Sequence, residues 1–284
     1  MSFGSRESSR QKGEPVSLFH FQWGLHVSNY YAYTDHEEPI TFGGKTYQPI
    51  PITMGAVKSS GTLDKQTIEV RTPQNVDLAR RFVYAPPSQV ITLIVRQGHI
   101  GDPANEFLVS WTGRVLGHKR ARNEAIYTME SYATSMRRTM LRRHYMLGCG
   151  HVLYGPMCRA DREAATSVRN VLSVSGPTVT LDASWAPEDR KPKYVNGVAE
   201  WTSADGSVES RSILKLKGSS NEQLLLDGPA VGLTGGMSMK VIYGCNHLAG
   251  LTDDCIALHN NIFNYGGEKD IPLKNPLALR NTYY

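Results

Sequence analysis

Four cysteines arranged as two pairs constrain this chain more than any other feature. Cys149 and Cys158 are separated by eight residues, Cys245 and Cys255 by nine, and a strand-rich segment lies between the pairs. If that segment closes into a barrel, its two ends meet and the pairs converge. Four thiolates at such a junction suit a tetrahedral zinc ion or an iron–sulfur cluster. The spacing is wider than the two-residue knuckle of zinc ribbons. It suits a larger object, with each thiolate approaching a different iron. Three further readings stay open on the residues alone. The cysteines could be unconnected buried thiols or form disulfides. Alternatively, Cys149 or Cys158 could pair with His144 or His151 as a nucleophile. That last reading leaves three cysteines unexplained.

The start, Met1-Ser2-Phe3-Gly4-Ser5-Arg6, lacks an apolar core and predicts no signal peptide. Folding is then expected in a reducing cytoplasm, where clustered cysteines point to metal or catalysis rather than disulfides. No apolar run approaches the ~18 residues of a membrane-spanning helix. The net charge is +5, with Arg137, Arg138, Arg142, Arg143 and His144 clustered in a stretch that reads as a short basic helix or turn. Without a nucleic-acid motif beside it, the cluster is expected to be a solvated or protein-facing surface, with no nucleic-acid specificity. Arg143, His144, Arg159, Arg162 and His247 lie close to the cysteines in sequence. They are expected to offset thiolate charge and lower the cysteine pKa values. Thr34-Asp35-His36-Glu37-Glu38 reads as a turn, and Asp253-Asp254 as the cap of a helix starting near Cys255. No hydrolase, zincin, nucleotide-loop or dinucleotide-binding motif is present.

The remainder of the chain reads as short strands. Hydrophobic residues make up 40% of it and charged residues 20%, with Gly and Pro frequent, a mix unlike a helical bundle. Phe19–Trp23, Asn29–Tyr33, Thr67–Arg71, Leu108–Val115 and Ala125–Glu130 are strand candidates. Gly43-Gly44 marks a hairpin turn between Phe42 and Tyr47. Val90–Val95 is a near-continuous apolar run, which predicts a strand covered on both faces. Val76–Phe82 predicts one short helix. Many short strands with frequent turns argue a barrel or a sandwich. Beyond Thr166, Ser167–Val174, Thr178–Leu181, Val198–Thr202, Ser212–Lys217, Gln223–Leu226 and Met237–Tyr243 predict a small barrel of five or six strands. Its core is marginal, so a cross-link would help it.

The expected organisation is therefore mainly β, with two barrel or sandwich domains and a small irregular cysteine-rich module. Residues 1–14 read as a flexible arm and 15–140 as an N-terminal β domain. Residues 141–165 form a cysteine loop connector, 166–243 a small barrel, and 244–284 the metal module and tail.

Several stretches resemble the tail-tip or baseplate hub proteins of long-tailed phages and gene transfer agents, a family to which tail tip protein L of phage lambda is distantly similar. Tyr33-Thr34-Asp35-His36 with Ile40–Tyr47 looks like the family's N-terminal hairpin. Cys149-Gly150-His151-Val152-Leu153-Tyr154-Gly155-Pro156-Met157-Cys158 looks like its cysteine loop. Gly197–Thr202 is similar to its middle strand pair. Gly244-Cys245, then Cys255, then Asn260–Glu268 resembles its ending. Two features depart from the pattern: a longer gap between Cys245 and Cys255, and Glu268-Lys269-Asp270-Ile271-Pro272 in place of a small or aromatic-Pro motif.

The resemblance implies two hub-type β domains and an iron–sulfur cluster, of the 4Fe-4S type, held by Cys149, Cys158, Cys245 and Cys255. It implies a structural role in the virion without catalytic residues, in a tail tip that assembles in the host cytoplasm. The implied partners are tail tube or distal tail, central hub and fibre proteins, and further copies of the chain in a ring of three. A structural zinc site in the same scaffold and a cysteine-dependent cell-wall hydrolase are the alternatives.

Overall fold

The computed structural model describes residues 2–11, 13–24, 29–57, 67–83, 86–137, 144–204 and 206–271. The chain divides into two compact units, Met1–Thr139 and Met140–Tyr284.

The first unit is a nine-stranded sheet. Its strands are β1 (Pro15–Trp23), β2 (Tyr30–Thr34), β3 (Ile40–Phe42), β4 (Lys45–Pro49), β5 (Thr53–Met54), β6 (Thr67–Pro73), β7 (Ile91–His99), β8 (Leu108–Ala121) and β9 (Glu124–Ser131). They lie in the order β3-β4-β2-β1-β7-β8-β9-β6-β5. All neighbours are antiparallel except β2 and β4, which run parallel. The period-2 alternation of strand side chains sorts β1 between two cores. Phe19, Phe21 and Trp23 enter the large core with Ile91, Leu93, Val95 and Tyr127. Leu18 enters a smaller one with Ala32 and Tyr47, against Phe42 and Phe107. The β3–β4 hairpin turns on Gly43 and Gly44, both at positive φ, a backbone that favours glycine.

Two expectations change here. Within the stretch expected as a flexible arm, Ser2–Glu7 forms a short helix, α1. Arg6 ties it down by donating to the Ile100 carbonyl at 2.9 Å, and Glu7 pairs with buried His99 at 2.9 Å. The apolar run in β7 is not buried on both faces. Ile91, Leu93 and Val95 are buried, whereas Thr92 and Ile94 are half-buried. Ile94 lines a cavity on that second face. The basic stretch opens with a 3-10 turn at Tyr132–Arg137. Arg138, Arg142 and Arg143 lie outside the described residues, and His144 is exposed and non-helical. The expected helix near Val76 is α2 (Asp77–Arg81), whose Leu78 and Ala79 are buried. Thr34–Glu38 is a turn, with Ser17 N–H donating to Asp35 Oδ1 at 2.8 Å.

The second unit is built on a closed six-stranded barrel. Its strands are β10 (Thr166–Ser175), β11 (Thr178–Leu181), β12 (Val198–Thr202), β13 (Val208–Lys217), β14 (Gln223–Leu226) and β15 (Ser238–Ile242), in the order β10-β11-β14-β13-β12-β15. Trp185, Tyr194, Trp201, Leu224 and Met239 belong to its core. Lys191 is wholly buried, and its ammonium donates to the carbonyls of Ala183 and Ser220 and to Glu188. A buried cation is tolerated only with such partners. Both cysteine segments lie in this unit, on either side of the barrel in sequence.

Candidate metal centre

Barrel closure determines where the cysteines go. β10 and β15 pair antiparallel, with Thr166 opposite Ile242. The ladder reaches one step further, Tyr243 N–H donating to the Ala165 carbonyl at 3.2 Å. The chain therefore enters β10 beside the point where it leaves β15. Cys158 precedes that seam and Cys245 follows it. Two glycines permit the exit path. A Cβ on Gly244 would collide with the Val195 carbonyl, and one on Gly197 with the Ile242 carbonyl. Gly244 N–H donates to the Lys193 carbonyl at 2.8 Å.

Cys149 is held against the second pair from both sides. Its N–H donates to the His247 carbonyl at 2.8 Å, and its carbonyl lies 3.0 Å from His247 Nδ1. The segment after Cys255 then closes over this loop. Glu268 N–H donates to the Met146 carbonyl at 2.9 Å, and Tyr265 Oη donates to the Leu147 carbonyl. Gly266 and Gly267 sit where no side chain fits. A Cβ on Gly266 would lie 2.5 Å from the His151 ring, and one on Gly267 2.5 Å from the Leu147 carbonyl.

The long loop between Cys245 and Cys255 is ordered by two carboxylates. Asp254 pairs with Lys193 at 2.7 Å and accepts from Asn246 N–H at 2.9 Å. Asp253 accepts from Gly250 N–H at 2.7 Å and from Asn246 Nδ2 at 2.8 Å. This corrects the expected cap. Asp253 occupies the N-cap position of α3 (Asp254–Ala257), but its side chain makes no capping bond. It folds back on the loop instead, which fixes the path into Cys255.

All four thiols are free and line one cavity, together with His151, His247, His259, Asn261 and Asn264. Three of the sulfurs receive a nearby N–H. His247 N–H lies 3.3 Å from Cys245 Sγ, and Gly266 N–H lies 3.3 Å from Cys149 Sγ. Asn261 Nδ2 lies 3.6 Å from Cys158 Sγ. Such contacts stabilise sulfur that carries negative charge, and they tune thiolate-bound clusters. The fourth thiol, Cys255, donates to the Asn261 carbonyl at 3.5 Å. Among the described residues, no group of three or more His, Cys, Asp or Glu side chains is arranged to hold a single metal ion.

The electrostatics correct a second expectation. Burial pushes the Cys255 thiol up to about 11, and Cys245, Cys149 and Cys158 add to the rise. Burial also raises Cys245, with Asp254, Cys158 and Cys149 adding to it against the His247 N–H. At these two thiols burial outweighs the anticipated lowering, to which only the His247 N–H contributes, at Cys245. Arg162 pairs with Glu200 at 2.6 Å, and Arg159 donates to the Pro156 carbonyl at 3.2 Å. His144 is exposed, and Arg143 lies outside the described residues. A raised thiol is a poor nucleophile at neutral pH. Neighbouring sulfurs disfavour ionisation of Cys245 and Cys255, and a bound cation is the natural means of ionising these two, with release of their protons. Four thiols around one cavity have the donor chemistry of a thiolate-ligated cluster, whose irons are each approached by a different sulfur, rather than the closer arrangement a single ion needs.

Two contributors are silent in the sequence. Asn261 is buried, and its amide donates to the Cys158 carbonyl at 2.6 Å and receives Asn264 Nδ2 at 2.7 Å. His259 Nε2 lies 2.8 Å from the Gly244 carbonyl. An Asn-rich stretch reads as a turn, and only its place beside Gly266-Gly267 hints at more.

The family described as "Baseplate hub protein, N-terminal attachment domain" matches residues 19–161, which is 143 of the 284 residues. The family described as "Phage conserved hypothetical protein BR0599" matches residues 193–275. The first match contains Cys149 and Cys158, and the second contains Cys245 and Cys255. No curated protein matches the chain. Among solved structures, a chain of "Virion of native gene transfer agent (GTA) particle" is similar in fold. Its TM-score is 0.75 at 17% identity, over 98% of this chain and 96% of that one.

Proposed function

This chain belongs to the baseplate hub protein family and is a component of a virion tail, and from that premise we propose that it is a non-catalytic piece of the tail tip whose four cysteines hold an iron–sulfur cluster. Cys149, Cys158, Cys245 and Cys255 are the ligands. The cluster supplies a covalent cross-link between the two ends of the barrel and the segment around Gly266. Metal-binding free energy then counts as folding free energy for the cysteine segments. One observation carries this reading. The β10–β15 seam brings both cysteine pairs to one cavity, where three sulfurs receive N–H groups. The protein acts with neighbouring tail proteins and with further copies of itself in a ring of three, and it helps to nucleate tail assembly.

The test is purification of the whole chain without oxygen, followed by metal and sulfide analysis. Iron and acid-labile sulfide in equal amounts, with visible absorbance in the blue, are expected. Zinc without sulfide would replace the cluster by a structural zinc site. Neither metal, or iron unchanged in Cys158→Ser and Cys245→Ser, would overturn the metal reading.

A further inference from the structure

A second polar cavity lies in the first unit, and nothing in the cysteine centre involves it. It has a volume of about 180 Å³ and lies on the face of the sheet away from Phe19 and Phe21. His20 and Gln22 of β1, Phe42, Lys45 and Tyr47 of the hairpin, and Ile94 and Arg96 of β7 line it. His20 is only 3% exposed. Its partner opposite in the ladder is Ile94, and Arg96 lies opposite Leu18, so strand pairing builds one wall from β1 and β7.

The charge in this cavity is one-sided. Lys45 Nζ donates to His20 Nε2 at 3.0 Å. An ammonium is donor-only, so the imidazole proton sits on Nδ1. That buried Nδ1 has no partner within ordinary hydrogen-bond distance, and the Gln22 side chain acts on the ring from longer range, favouring its charged form. Burial, Lys45 and Arg96 together hold His20 down at about 4, so the ring is neutral at physiological pH. Arg96 also hydrogen-bonds the Tyr47 hydroxyl, and both cations contact aromatic faces. Lys45 Nζ is 4.5 Å from the Tyr30 ring centre and Arg96 Cζ is 5.8 Å from that of Phe42. Among the described residues, no Asp or Glu forms an ion pair with either. Two half-buried cations with no counter-ion leave a net positive field in a partly apolar cavity. A forked guanidinium beside an ammonium matches the two oxygens of a carboxylate.

We propose that this pocket is a carboxylate-binding site, with Lys45 and Arg96 as the charged clamp, His20 and Gln22 as polar support, and Phe42, Tyr47 and Ile94 around the stem. The site stands on the geometry of the first unit. Only the bearer of the carboxylate rests on the reading of the chain as a tail component, where an acidic side chain of an adjoining tail protein is one source and a free small carboxylate the other.

Glutarate is the probe, titrated into the full chain at constant ionic strength and followed through the His20 ring resonances, assigned by their loss in His20→Gln. A saturable shift is expected, with affinity weakened about tenfold or more in Lys45→Gln and in Arg96→Gln. Melting curves check that each variant folds, and Arg96→Gln alone suffices if Lys45→Gln does not. No saturation, or equal affinity in the wild type and a folded variant, overturns the site. Supplying Arg96→Gln protein to a phage that lacks the gene separates the sources. Failed incorporation assigns a protein side chain, and normal incorporation assigns a free carboxylate. Metal content is untouched by either variant, so failure here is distinct from failure of the cluster.

Discussion

Asn261 holds the cysteine centre together without being a candidate ligand. Its buried amide donates to the Cys158 carbonyl, and its own carbonyl accepts from the Cys255 thiol. Removing the amide leaves a buried carbonyl without its donor, at a cost of about 1–3 kcal/mol. Asn261→Ala is therefore expected to lower the urea midpoint of the second unit and to speed loss of bound iron, read as decay of visible absorbance. Gly266 acts through space rather than bonding. A methyl group there meets the His151 ring at 2.5 Å and would displace the N–H beside Cys149. Gly266→Ala should cost about 1–3 kcal/mol by overpacking and should lower iron content in freshly purified protein. A melting curve together with metal analysis checks both effects. At this scale the cysteines were legible, because a thiol is rare and its spacing carries meaning. Asn261, Gly266 and Gly267 stood out only as part of a motif, and their roles were not legible because these are set by residues more than a hundred positions away, Cys158, Cys149 and Leu147.

At the scale of elements, alternation along strands was readable and the covering of each face was not. Thr67–Arg71 alternates in sequence, and its burial alternates in β6. The run Val90–Val95 looks doubly buried, yet β7 turns its second face to the Lys45–Arg96 cavity. Whether a hairpin folds over a strand depends on distant pairing, here β4 beside β2, which no local pattern encodes. The helix α1 was missed for a related reason. Its six residues, four of them polar, are too few to be stable alone, and contacts from Arg6 and Glu7 to β7 and the turn after it secure them. His20 gives this element level a pH signature. Its folded value lies near 4, below the ordinary 6.5. Between these values the unfolded chain binds the proton and the folded chain does not. The associated stability is full above pH 6.5 and falls as pH drops towards 4, by up to about 3 kcal/mol. Urea unfolding of the first unit at pH 7 and at pH 4.5 should show this loss. His20→Gln should flatten it, and an equal slope in the variant would refute the assignment.

The whole chain consists of two units with separate cores, and only the second contains the cysteines. The first unit packs sixteen buried residues into its main cluster around Phe21, Leu93 and Tyr127. The second must close a barrel of six short strands and also order two long cysteine segments, which present few apolar side chains to it. The barrel's core is nearly as large, with fifteen buried residues, so it is the ordering of the cysteine segments that the proposed cross-link would help. Removing the metal should consequently act on one unit. Calorimetry of the anaerobically purified chain is expected to show two transitions. Chelation, or Cys158→Ser, should lower the transition of the second unit by several degrees or merge it into the baseline. The transition that responds to pH between 4 and 6.5 should stay where it was. Equal displacement of both transitions would mean that the units do not melt separately. An unmoved second transition would mean that the cysteines contribute no more than ordinary packing. The prediction follows from topology: the β10–β15 seam makes the barrel's own closure the device that gathers the four thiols. Loss of the proposed centre is therefore expected to loosen the seam, while the nine-stranded sheet keeps its own ladder and core.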